Sequence, residues 1–166
     1  LAITGIVVVG VLCFVVMRSL YRNLRTAKAD YYAQCRMADF WIDLKKAPVA
    51  ELTELAELPG IAQWQTRVRF SATDDLADVA KPLSGMVLSL PDQRRDVING
   101  IVLRSGSHFS PVRANEVIVG EAFARAHHLA PGMRIHMLLG NRRQELVVVG
   151  TAISSEFVYL VRPGTV

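Results

Sequence analysis

Cysteine is scarce: the 166 residues hold only Cys13 and Cys35. They lie about six helical turns apart on one uninterrupted helical pattern. A disulfide needs Cα atoms within about 7 Å, so no internal disulfide framework is available. Two cysteines neither require nor exclude an oxidising compartment. Aromatics are also few, at 7%, and the basic residues are scattered. That excludes the basic and aromatic stripe of a nucleic-acid binder, despite a net charge of +4. Signature motifs are missing too. There is no G-x-x-x-x-G-K-[ST], and so no P-loop in this chain. No G-x-G-x-x-G, G-x-S-x-G or H-E-x-x-H occurs either.

What the first seventeen residues lack is charge. Leu1 to Met17 is apolar throughout except for Thr4, with no proline. As a helix it makes roughly 25 Å, close to the roughly 30 Å hydrocarbon core of a bilayer. The run has no basic start, and Arg18-Ser19-Leu20-Tyr21 offers no small-residue cleavage site. It therefore reads as a membrane span rather than a signal peptide or a buried core helix. About 150 residues follow, enough for a hydrophobic core. Their ordinary charge content argues against disorder.

The helical pattern continues past the apolar run. No proline or glycine interrupts Arg18 to Met37, and Leu20, Leu24, Ala27, Tyr31 and Cys35 recur at spacings of three and four. Arg18, Arg22, Arg25 and Lys28 largely lie off that stripe. This reads as a stalk that carries a domain, with an interfacial helix on headgroups as the alternative. The expected organisation is a span and stalk over residues 1–37 and an α+β domain over residues 38–166.

Within the domain, Phe40, Ile42 and Leu44 alternate with polar or outward residues, which predicts a strand over 38–46. Pro48 opens a helix with Val49, Leu52, Leu55 and Leu58 on its apolar face, closed by Pro59-Gly60. Strands are expected over 61–72, with Val68 and Phe70 on one face and Arg67 and Arg69 on the other, and over 86–90. Residues 73–82 read as an acidic loop or edge, 92–95 as a polar turn, and 97–103 as a short apolar segment. Residues 105–114 read as an irregular loop. A strand over 116–119 leads into a helix over 120–129, with Ala122, Phe123 and Ala126 inward. Strands over 135–139 and 145–149 flank the hairpin signal Gly140-Asn141. Gly150 should break the run, and a last strand should span 152–161. Strands and helices mix without strict βαβ repetition, which is α+β.

Chemistry-bearing residues do not assemble into a constellation. His127 and His128 are helix neighbours about 100° apart, unlike metal ligands at i and i+4. All four histidines, His108 and His136 included, read as surface or half-buried, and nothing supplies Ser107-His108 with a strained turn or an orienting acid. Glu51, Glu54 and Glu57 drift around a solvated helix face. Tyr31, Tyr32 and Trp41 suit a headgroup-level belt, a partner contact or simple packing. No residue is assigned a catalytic, cofactor-binding or metal-binding role.

Several segments in order resemble a known family. The apolar span and basic stalk are followed by Asp30-Tyr31-Tyr32 and Arg36-Met37-Ala38-Asp39-Phe40. Then come Leu44-Lys45-Lys46-Ala47-Pro48, Leu58-Pro59-Gly60-Ile61, Arg67-Val68-Arg69 and Leu103-Arg104-Ser105-Gly106. Asn115-Glu116-Val117-Ile118-Val119, Ala130-Pro131-Gly132-Met133 and Val148-Val149-Gly150-Thr151-Ala152 complete the series. Together they resemble the permease subunits of MacB/FtsX-type ABC transporters, across essentially the whole chain. The resemblance implies a first transmembrane helix joined to a periplasmic core domain, in the inner (cytoplasmic) membrane. It implies three further spans, and a chain that stops before the part that returns to the membrane. Its implied partners are an ABC ATPase subunit, a second permease copy, a periplasmic adaptor or membrane fusion protein, and the lipid bilayer. No cofactor is implied. The implied role is efflux, or in FtsX-type relatives the activation of an extracytoplasmic enzyme; an unrelated membrane-anchored sensor or adaptor is the remaining alternative. One local feature points the other way. Lys and Arg beside a span favour the cytoplasm, and Arg18, Arg22, Arg25 and Lys28 face only one acid, Asp30.

Overall fold

The computed structural model describes residues 2–75, 83–91, 97–140 and 142–157. Helix α1 (Ala2–Gln34) runs unbroken from the apolar segment through the basic one, as the stripe predicted. Its 33 residues span about 50 Å at 1.5 Å per residue. None of them is buried, and α1 is long and apolar enough to cross a membrane.

The end of α1 has a specific cause. Arg36 takes a left-handed conformation, with φ of 49°. The Met37 N–H then donates to Tyr32 O at 3.0 Å and the Arg36 N–H to Ala33 O at 3.1 Å. These are the two bonds of a Schellman cap, which satisfies carbonyls that the helix would otherwise leave unpaired.

Residues 38–46 form no strand, contrary to their alternation. Phe40, Trp41, Ile42 and Leu44 are all more than half exposed. Alternation describes a side-chain pattern, but a strand also needs a ladder partner for its backbone, and none is taken among the described residues. Arg69 anchors the segment instead, donating to Asp43 Oδ1 at 2.6 Å. A short helix, α2 (Val49–Leu52), passes into a 3-10 turn at Thr53–Glu57. Pro48 caps it from outside, and Gly60 turns the chain with φ of 93°. Leu58, expected inward, is 51% exposed because the helix has ended before it.

The strands are β1 (Arg69–Asp75), β2 (Leu83–Leu88), β3 (Ile101–Gly106), β4 (Glu116–Gly120), β5 (Arg134–Leu139) and β6 (Arg142–Ser154). They form one sheet in the order β2-β1-β5-β6-β3, with β4 also on β6. Pairing is antiparallel except between β4 and β6. The long strand β6 organises the sheet. Its first half pairs with β5, and its residues 150–152 pair with both β4 and β3, which therefore flank it on opposite sides. Between β4 and β5 lies a short helix, α3 (Glu121–Ala126). The core joins Ala72, Ile135, Met137, Val148 and Val119 with Ala124 of α3.

Several boundaries differ from the sequence pattern. β1 starts at Arg69 rather than at 61 and runs on into the segment read as a loop or edge. Before β1 the faces are also exchanged, since Arg67 turns inward and Val68 is 63% exposed. In α3 the buried residue is Ala124, with Phe123 packed beside it, whereas Ala122 and Ala126 are exposed. Gly150 does not break β6. It lies opposite Gly106, where a Cβ on Gly150 would sit 2.8 Å from Ser107 O and 3.0 Å from Ser105 O. Glycine here permits a close backbone approach inside a strand. β6 ends at Ser154 and turns into a 3-10 segment, Ser155–Phe157, so the expected strand over 152–161 is cut short. The expected turn at 92–95, residues 76–82 and the remainder of the last strand lie outside the described residues.

Candidate functional site

A connected polar arrangement lies where α1 enters the domain. Cys35, 1% exposed, closes the helix, and its carbonyl accepts from the Gly100 N–H at 2.8 Å. The Arg36 carbonyl accepts from the Asn99 N–H at 3.0 Å. The helix end and the Asn99-Gly100 turn therefore form a two-rung backbone ladder. Gly100 immediately precedes β3.

Asn99 holds this joint from the inside. It is 5% exposed and left-handed, with φ of 52°, a conformation that asparagine tolerates better than most residues. Its Oδ1 accepts from the Ala38 N–H at 2.7 Å, and its Nδ2 donates to Glu156 Oε1 at 2.7 Å. One amide thus bridges the chain just after α1 and the chain just after β6.

Arg67 completes the clamp. Its Nη1 donates to Glu156 Oε2 at 3.0 Å, and its Nη2 donates to Asn99 O at 2.8 Å and to Ile98 O. The side chains of Arg67 and Glu156 are 12% and 22% exposed. Burial pushes the Arg67 guanidinium below its usual pKa, and the Glu156 carboxylate opposes that push. An arginine so placed stays charged, and its planar fork can serve several acceptors at once. Two glutamines support the arrangement. Gln65 Oε1 accepts from the Ile98 N–H at 2.8 Å, and Gln63 Oε1 accepts from Arg36 Nη2 at 2.5 Å.

Mechanically, the joint ties α1 to the sheet through two routes. One passes from Cys35 and Arg36 through the 99–100 turn into β3. The other passes from Ala38 through Asn99 and Glu156 to the end of β6. Both routes consist of buried or half-buried hydrogen bonds, which are geometrically stiff. The two routes thus bond the end of α1 to the start of β3 and to the chain just after β6.

Of the residues weighed in the sequence, only Tyr31 and Tyr32 lie next to this joint. His127 packs on Phe123, with ring centroids 4.6 Å apart, and His128 is exposed. His136 Nε2 is 3.7 Å from Glu145. The Ser107 N–H donates to Val149 O, tying the loop after β3 to β6. Glu51, Glu54 and Glu57 are exposed. Tyr31 and Tyr32 are half-buried at the base of α1, with Lys28 Nζ 5.2 Å from the Tyr32 ring centroid. Trp41 is 62% exposed. Among the described residues no three His, Cys, Asp or Glu side chains gather as a metal site. Both cysteines are free thiols. A second polar cluster, on α3 and β3, joins Glu121 to Arg125 at 2.8 Å and to Arg104 at 3.5 Å beside an open groove.

Asn99, Glu156 and the glutamines carry no motif. The one available signal was the Asn99-Gly100 pair, a turn dipeptide inside a segment that reads as apolar. Fold and joint together define an α+β domain fastened at one end to a long apolar helix. No family model, curated protein or solved structure matches the chain.

Proposed function

We propose that this chain is the first span and the extracytoplasmic domain of a permease subunit in an ABC-type exporter, as its ordered segments resemble. In this reading the domain couples the motion of a partner ATPase to cargo or to a periplasmic adaptor. One observation carries it: the carbonyls that end α1 are bonded to the two residues that lead into β3, and Asn99 links the same point to the end of β6. A passive tether would need only a flexible linker. A joint with both routes hydrogen-bonded suits a domain that must follow its helix.

A second reading, the FtsX-like one, draws support from the exposed Phe40, Trp41, Ile42 and Leu44. An apolar segment of this size at the base of a transmitting helix suits docking of a protein partner. There the same motion would activate an extracytoplasmic enzyme instead of moving cargo.

The test is purification of the full-length protein from its own membrane. The proposal expects a co-purifying subunit with a P-loop and ATPase activity. Asn99→Gly should uncouple that activity from cargo or adaptor while the ATPase still binds. A full-length protein with no further spans and no ATPase would overturn both readings and leave an anchored sensor or adaptor. A stable complex with a hydrolase and no cargo flux would select the second reading.

A further inference from the structure

Arg104, Glu121 and Arg125 line an open groove between β3 and α3, apart from the joint. Thr151 of β6 lies between its walls. It pairs with Ser105 of β3 on one side and with Val119 of β4 on the other, and α3 follows β4 directly.

The β3 wall is irregular. Leu103 pairs with Ala152 and Ser105 with Thr151, so Arg104 is an extra residue, a β-bulge. Neighbours in a regular strand point to opposite faces. A bulge re-aims a side chain, and here both Arg104 and Ser105 line the groove. The Ser105 and Thr151 hydroxyls are 2.8 Å apart and share one hydrogen bond. That leaves one hydroxyl hydrogen of the pair uncommitted among the described residues.

The α3 wall supplies the charges. Arg125 Nη2 donates to Glu121 Oε1 at 2.8 Å, and Arg104 Nε lies 3.5 Å from Glu121 Oε2. One carboxylate thus sits between two guanidiniums. Among the described residues it is the only acidic partner of either arginine. Each guanidinium has more N–H donors than Glu121 takes up. One positive charge is left uncompensated, and His128 lines the same groove. Arg104 and Arg125 are 52% and 79% exposed, so a ligand can reach both.

We infer that this groove binds an acidic segment of a partner protein, a carboxylate of which takes donors of Arg104 and Arg125 in competition with Glu121. Arginine forks match a carboxylate in shape and charge. A single uncompensated charge suits one carboxylate better than a dianionic phosphate. The open shape suits a chain lying across the surface, since small-molecule sites enclose most of their ligand. The inference stands on the groove alone and does not depend on the exporter reading.

The experiment is fluorescence anisotropy with the full-length protein in detergent. The probe is a rhodamine-labelled short peptide of alternating glutamate and alanine, with its glutamine counterpart as control. The glutamate peptide should bind saturably and the glutamine peptide should not. Arg104→Gln and Arg125→Gln should each weaken binding about fivefold. Glu121→Gln should tighten it about threefold, because the internal competitor is gone, an effect that a purely structural role would not produce. Arg134→Gln, an arginine 68% exposed on β5, should leave binding unchanged. No saturable binding, no effect of the two groove arginines, or an equal loss in Arg134→Gln would overturn the inference. Displacement by glutarate as effective as by unlabelled peptide would make the ligand a small organic acid, and stronger displacement by inorganic phosphate than by glutarate would make it a phosphate; either overturns the assignment to an acidic protein segment. None of these outcomes bears on the ATPase test, so the two proposals fail separately.

Discussion

Replacing Asn99 with glycine isolates what its side chain does for the joint. Glycine adopts the native φ of 52° freely, so the backbone conformation survives and only the amide is lost. The Ala38 N–H then loses its partner in a part-buried site, which costs about 1–3 kcal/mol. Glu156 loses a donor to its carboxylate, a bond type that contributes about 1.5–3 kcal/mol. Glu156 is 22% exposed and can regain water, so the sum should be discounted to about 2–4 kcal/mol. This loss should be local. Hydrogen exchange of the full-length protein should show the Ala38 and Gly100 amides opening about 30- to several hundred-fold faster, at about 1.4 kcal/mol per tenfold. The Val148 amide, in the core, should change far less. Asn99→Ala should cost about 1 kcal/mol more than Asn99→Gly, because alanine is strained at this φ. Unchanged exchange at 38 and 100, or an equal rise throughout the sheet, would refute Asn99 as the pin of the joint.

Other outcomes follow from the same geometry. Arg67→Lys should destabilise by about 1–2 kcal/mol in urea unfolding, because one ammonium cannot reproduce the fork that serves Glu156, Asn99 and Ile98. In a double-mutant cycle, Arg67→Met and Glu156→Met should show a coupling of about 1–2 kcal/mol, while additive losses would mean the ion pair is incidental. Gly150→Ala should cost about 3 kcal/mol or more, read as a lowered midpoint, since the new Cβ meets the Ser107 and Ser105 carbonyls. A neutral Gly150→Ala would mean that β3 and β6 separate more easily than their register implies.

How much of this was legible in the residues depended on distance along the chain. α1 was readable because its stripe is local and uninterrupted. β4 and the β5–β6 hairpin were readable because short apolar-rich runs end at Gly120 and Gly140. Gly150 misled because a glycine can mark either a break or a close backbone approach, and only the position of β3 decides between them. The segment from Phe40 to Leu44 misled in the opposite sense, with the pattern of a strand and no partner to pair with. The joint was the least visible part. Arg67 and Glu156 are separated by 89 residues, and Asn99 and Glu156 by 57. Nothing local marks them as partners, and alternation even assigned Arg67 to the wrong face. The chain turns Arg67 inward before β1 begins because Glu156 and the 98–99 carbonyls are waiting there.

On the proposed reading this domain stands on the extracytoplasmic side and follows its helix, against the cytoplasmic preference of Arg18, Arg22, Arg25 and Lys28. Sidedness can be read with one cysteine at Val112, which is 90% exposed in the loop before β4. Cys13→Ser removes the thiol in the apolar run, and buried Cys35 should stay silent until the protein is unfolded. Val112→Cys should react with a membrane-impermeant thiol reagent in intact cells. Reaction in inverted vesicles only would place the domain in the cytoplasm and contradict both the exporter and the extracytoplasmic signalling readings.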